Sequence, residues 1–102
     1  MKQVKKIKFD RCVDIVKTQL DVNESTIFSN TRSMDGVDAR SILYRLCSKS
    51  SIRNNVISKY MHENGVKVTD SNISASIKRI NKLVSDDKDW ADIVKRLEKL
   101  VC

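Results

Sequence analysis

Proline is absent from this chain, and its 102 residues include only two glycines, Gly36 and Gly65. So little backbone punctuation argues for an all-α domain of long helices. Histidine occurs once, as His62, without a second His or a nearby Cys, so metal-ligand spacing is missing. No Ser/His/Asp or Cys/His set is suggested by spacing, no GxxxxGK[ST] loop is present, and the chain reads as a non-enzyme with no cofactor. The cysteines number three, Cys12, Cys47 and Cys102, with no CxxC pair. Cys12 and Cys47 fall on apolar helix stripes and read as reduced core residues of a cytoplasmic protein. The N-terminus is charged rather than apolar, so no signal peptide is expected. No stretch approaches the ~18 apolar residues of a membrane span, so no membrane partner is expected.

What is abundant is positive charge. Net charge is +7, with 32% charged and 40% hydrophobic residues, the balance of a globular domain. The excess is clustered. Residues 1–8 carry Lys2, Lys5, Lys6 and Lys8 and no acid, residues 9–50 are balanced, and residues 84–102 are slightly acidic. Residues 51–83 carry Arg53, Lys59, Lys67, Lys78, Arg79 and Lys82 against only Glu63 and Asp70. Clustered cations attract polyanions, of which nucleic acid is the commonest.

The periodicity predicts a single compact helical domain of about five to six helices over 9–102, preceded by a flexible basic arm over 1–8. A weak β-like alternation of Val4, Ile7 and Phe9 lies in the arm. Phe9, Cys12, Val13, Val16 and Leu20 make a first helical stripe. Ile27 and Phe28 anchor a short segment that could form a single turn, and a loop over 31–37 contains Gly36. Ala39, Ile42, Leu43, Leu46 and Cys47 form the core stripe of a second long helix, with Arg40, part of Tyr44 and Arg45 pointing away. A third helix runs over 52–62 and ends at Asn64-Gly65, since glycine readily takes the left-handed conformation there. A last helix, started by Asp86 and Asp87, buries Trp90, Ile93, Val94, Leu97, Leu100 and Val101.

Between these last two lies VTDSNISASIKRINKLV, residues 68–84. Thr69, Asp70, Ser71 and Asn72 favour a helix start. Ile73, Ile77, Ile80 and Val84 make its apolar stripe, and Ser71, Ala75, Lys78 and Lys82 run along the opposite side, flanked by Asn72 and Arg79. Small side chains permit close approach to a major groove, Ser and Asn reach base edges, and Lys and Arg meet phosphates. Helix, glycine turn and basic-faced helix over about 52–84 together form a helix-turn-helix pattern, with the recognition helix at about 70–84.

The order of elements resembles the C-terminal DNA-binding domain of the bacterial replication initiator DnaA, in the Trp-repressor-like group. The likeness covers about Ile7 to Val101. It rests on Ile7-Lys8-Phe9-Asp10 before the first long helix, on Ser29 to Leu46 as loop and helix, and on Thr69-Asp70-Ser71-Asn72-Ile73 followed by Lys78-Arg79-Ile80. This last run is similar to the family's acid-His-Thr-Thr-Val start and basic-basic-Ile finish. The resemblance implies base-edge contacts by Thr69, Asp70, Ser71 and Asn72, with Asp70 on the family's histidine and Asn72 on its second threonine. It implies a minor-groove or backbone contact by the loop, where Arg32 is the one basic residue.

The expected partner is therefore double-stranded DNA, bound by a stand-alone DnaA-like domain, of the kind a phage or mobile element carries, acting in replication or transcription as a monomer or weak dimer. Ser71, Asn72 and Ala75 would face bases, and Lys67, Lys78, Arg79 and Lys82 would meet phosphates, with Thr69 contributing its hydroxyl. The acidic Asp35 and Asp38 support a second reading, a protein-interaction adaptor that keeps the fold without binding DNA.

Overall fold

The structure is a computed structural model that describes residues 4–29 and 34–101, with the backbone alone for residues 34 and 35. It is all-helical. The helices are α1 (Val4–Leu20), α2 (Glu24–Ile27), α3 (Met34–Lys49), α4 (Asn54–Glu63), α5 (Asp70–Asp86) and α6 (Lys88–Val101), and the described residues contain no strand.

The first difference from expectation is at the N-terminus. Val4 to Lys8 are not arm but the opening of α1, and the β-like alternation there is not realised. Lysine is a good helix former, and tertiary contacts fix this turn. Lys6 pairs with Asp10 one turn on, at 3.3 Å, and its ammonium lies 5.4 Å and 5.3 Å from the ring centroids of Phe9 and Tyr60. Those rings are themselves 5.2 Å apart, so cation and aromatics tie α1 to α4. Helix α3 likewise starts before Gly36, which is helical and buried rather than part of a loop.

Helix α3 is the centre of the domain and touches each of the other five helices. Its core stripe Ala39, Ile42, Leu43, Leu46 and Cys47 is fully buried against Phe9, Cys12 and Val16 of α1, Ile73 and Ile80 of α5, and Val94 and Leu97 of α6. Trp90 packs against this core from its edge. Because neighbours surround α3, the three residues expected to point outward do not. Tyr44 is 2% exposed. Arg40 donates to the carbonyls of Thr26, Ile27 and Ser29 at 3.2, 3.3 and 2.9 Å, satisfying the end of α2. Arg45 Nε donates to Glu98 of α6 at 2.7 Å, and its guanidinium also meets Asn81 of α5.

Three helices end by one device. Asp21 (φ 54°), Ser51 (φ 66°) and Gly65 (φ 88°) each take the left-handed conformation after α1, α3 and α4. The next residue is apolar in each case, Val22, Ile52 or Val66, and its N–H donates to a carbonyl five residues back, in Lys17, Cys47 or Met61, at 3.1, 3.0 and 2.9 Å. This is the Schellman arrangement, with the apolar residue folded back onto its own helix. Ile52 and Val66 are each 2% exposed, so the turns are pinned by burial as well as by hydrogen bonds.

Candidate nucleic-acid interface

The connection between α4 and α5 is short and heavily bonded. Val66 plugs it into the core, and Ser58 Oγ donates to the Val68 carbonyl at 2.7 Å. His62 Nε2 meets the Val68 backbone, 3.2 Å from its N–H and 2.9 Å from its carbonyl. The single histidine thus braces the turn. Helix α4 is also fastened to α5 at its other end, where Asn54 Nδ2 donates to Ser74 Oγ at 2.8 Å. These bonds fix how far α5 stands out from the rest of the domain.

Helix α5 begins with a reciprocal capping box. Thr69 Oγ1 accepts the N–H of Asn72 at 3.1 Å, and Asn72 Oδ1 accepts the N–H of Thr69 at 3.2 Å. Asp70 follows in the first turn, where a carboxylate favours the positive helix end. Ile73 and Ile80 are buried, and Ile77, Leu83 and Val84 pack against the core. On the far side Ser71, Ala75, Lys78 and Lys82 are exposed in one stripe, and Lys67 is exposed on the preceding turn. Among the described residues Lys82 pairs with Asp86 alone, at 3.7 Å, with 80% of its side chain exposed, so the contact is screened and weak.

Two expected contact residues are committed elsewhere. Asn72 is exposed, but its side-chain oxygen is used by the cap, which ties it to the helix start rather than leaving it poised over base edges. Arg79 is not a phosphate-facing cation on the rim. Its guanidinium donates to Asp38 of α3 at 2.7 Å and lies 3.5 Å from the Ser41 hydroxyl, with the pair only 35% and 18% exposed. Arg79 directly follows Lys78, and one residue turns the helix by about 100°, enough to swing its side chain off the outer stripe toward α3. The same bond consumes Asp38, so the acidic patch that favoured a protein adaptor loses that charge. Arg32 lies outside the described residues.

Folding brings further cations beside α5, none of which the sequence alone assigned to the contact surface. Arg53, exposed, precedes Asn54 and so stands next to Ser74. Lys49 at the end of α3 lines a shallow groove with Arg45, Ser48, Ile77 and Asn81, directly beside the outer stripe. Arg53 was already part of the basic run over 51–83, whereas Lys49 lies in the charge-balanced stretch before it and only its sign of charge was a signal. Among the described residues no group of three metal-ligating side chains is present, and no helix is long and apolar enough to cross a membrane.

No protein family, curated protein or solved structure was matched by this chain.

Proposed function

We propose that this is a double-stranded-DNA-binding domain of the helix-turn-helix type, similar to the DnaA C-terminal domain, with α5 entering the major groove. The observation that carries this reading is the outer stripe of α5. Ser71 and Ala75 offer small side chains where the helix would approach bases, and Lys78 and Lys82 follow on the same face with no strong internal partner among the described residues. Lys67 and Arg53 flank that stripe and suit phosphates on either side. The capping box gives Thr69 and Asn72 the task of fixing the helix start, and base choice falls to Asp70, Ser71 and Ala75. A carboxylate there accepts from a cytosine amino group and repels phosphate, and a methyl group suits the thymine methyl.

The test is an anisotropy titration of random duplex DNA at several salt concentrations, with the wild-type protein and Lys78→Glu/Lys82→Glu. The wild type binds with an affinity that falls as salt rises. The double variant loses affinity by about tenfold or more at low salt, and its salt slope is smaller by roughly two units, one for each phosphate contact removed. No duplex binding by the wild type at low salt, despite a net charge of +7, overturns the reading.

A further inference from the structure

A second cluster of cations faces a cleft on the other side of Lys49. The cleft, with a volume of about 200 Å³, lies between α1, the turn after α3 and the end of α6, and is lined by Lys8, Arg11, Lys49, Ser50, Ser51 and Val101. No acid lines it. Lys8 Nζ donates to the Ser50 carbonyl at 3.3 Å, and Arg11 donates to the Leu100 carbonyl at 3.0 Å. These two bonds have a structural explanation, because α3 and α6 both end here and present unsatisfied carbonyls. That explanation does not reach Lys49, which is exposed and makes no ion pair among the described residues. The charge balance also leaves an excess. Two helix C-termini contribute about half a negative charge each, against three formal positive charges, so the cleft stays positive by about two. Ser51, exposed in its lining, can add a hydroxyl donor, whereas the Ser50 hydroxyl already lies 3.8 Å from the Cys12 sulfur.

We infer that this cleft takes a phosphate group, and that the phosphate belongs to the backbone of the same duplex that α5 engages. Lys49 supports the link, since it lines both this cleft and the groove against Ile77 and Asn81 of α5. The cationic surface therefore continues from Lys78 past Lys49 to Lys8 and Arg11 without a break by an acid in either lining. The molecule measures 37 × 29 × 25 Å, about the length of one turn of duplex, so both contacts fall within one turn. The inference rests on the reading of α5 as the DNA-facing helix.

The experiment compares Lys8→Gln/Lys49→Gln with Lys88→Gln/Lys95→Gln, which removes the same charge from exposed positions of α6 outside the track. Each is titrated with random duplex across salt concentrations. In parallel, the backbone amides of Ser50 and Ser51 are followed by NMR during addition of duplex and, separately, of inorganic phosphate. The expected result is a salt slope lowered by roughly two units in the cleft variant only, with the Ser50 and Ser51 amides of the wild type shifting on addition of duplex. Lys49→Gln alone, an exposed single change, lowers the slope by roughly one unit and guards against a folding defect in the double variant. Equal behaviour of the cleft and control variants, with binding still lost in the α5 variant, overturns the inference and leaves the α5 reading standing. Shifts with inorganic phosphate but not with duplex overturn it as well, since the cleft then serves a free anion. Absence of wild-type duplex binding overturns both.

Discussion

Single residues carry costs that the fold tolerates. Tyr44 is buried in the central helix, and its hydroxyl finds no hydrogen-bond partner among the described residues. Burial pushes its pKa up from 10 to about 12, only partly offset by the Arg40 charge nearby. The folded state then keeps a proton that the unfolded chain releases, so this contribution to stability is complete below pH 10 and lost as pH rises through about 12. Tyr44→Phe removes an unsatisfied hydroxyl without changing the ring. Urea denaturation should show it more stable than wild type by about 1 kcal/mol at neutral pH, with the loss above pH 10 diminished. The left-handed residues give a complementary pair. Nothing lies within 4 Å of a Cβ added at Gly65, so Gly65→Ala costs only backbone strain, about 1–2 kcal/mol. Ser51→Gly, at the matching position after α3, should gain about 0.5–1 kcal/mol. Thermal unfolding of both variants checks the pair, and a stabilised Gly65→Ala contradicts the shared geometry.

At the scale of elements, the apolar stripes were legible apart from Leu100, which was expected to be buried and is 40% exposed at the end of α6, and the polar roles were not. Phe9, Cys12, Val13 and Val16, or Ile73 and Ile80, repeat at helical spacing and are buried as that spacing predicts. The glycine stop at Gly65 was equally readable, whereas Asp21 and Ser51 adopt the same conformation with residue types that announce nothing. Arg40, Arg45 and Tyr44 were misplaced for a single reason. A stripe reveals one buried face, but α3 has neighbours on all sides, and the partners of a central helix are set by topology rather than by its own sequence. Arg79 shows the same limit, since its partner Asp38 is 41 positions away. That pair separates structure from binding experimentally. Arg79→Ala should cost about 1–2 kcal/mol of stability, less than a fully buried pair because both groups keep some solvent. Asp38→Asn should cost a comparable amount, and the two losses should not add. Urea midpoints for the two single variants and the double variant give the coupling, and full additivity contradicts the pair. By contrast Lys78→Ala should leave the midpoint nearly unchanged.

Across the whole molecule, one central helix holds the others in place while charge is sorted toward the surface. Lys8 and Arg11 lie on one edge of α1, and Asp10 and Asp14 lie with Glu24 around a cleft on its other edge. An acidic polymer should therefore be attracted to one side of the domain more than to the other. The sequence revealed the net charge and the clustered runs, and chain folding supplied the placement of Lys49 beside α5 and of Lys8 and Arg11 around a cleft that Lys49 shares. The buried thiols carry a different consequence. Cys12 and Cys47 are both fully buried where α1 packs on α3, and their mutual interaction draws the Cys12 thiol down and, with burial, pushes Cys47 up, while the Cys12 sulfur also lies 3.8 Å from Ser50 Oγ. Neither sulfur can meet a reagent while these helices stay together. Alkylation at the two positions, resolved by mass spectrometry, becomes a clock for the parting of α1 from α3. With fast reclosing, the slowing relative to an unfolded chain gives the free energy of that opening directly, so the protein carries an internal gauge of its own breathing with no added label.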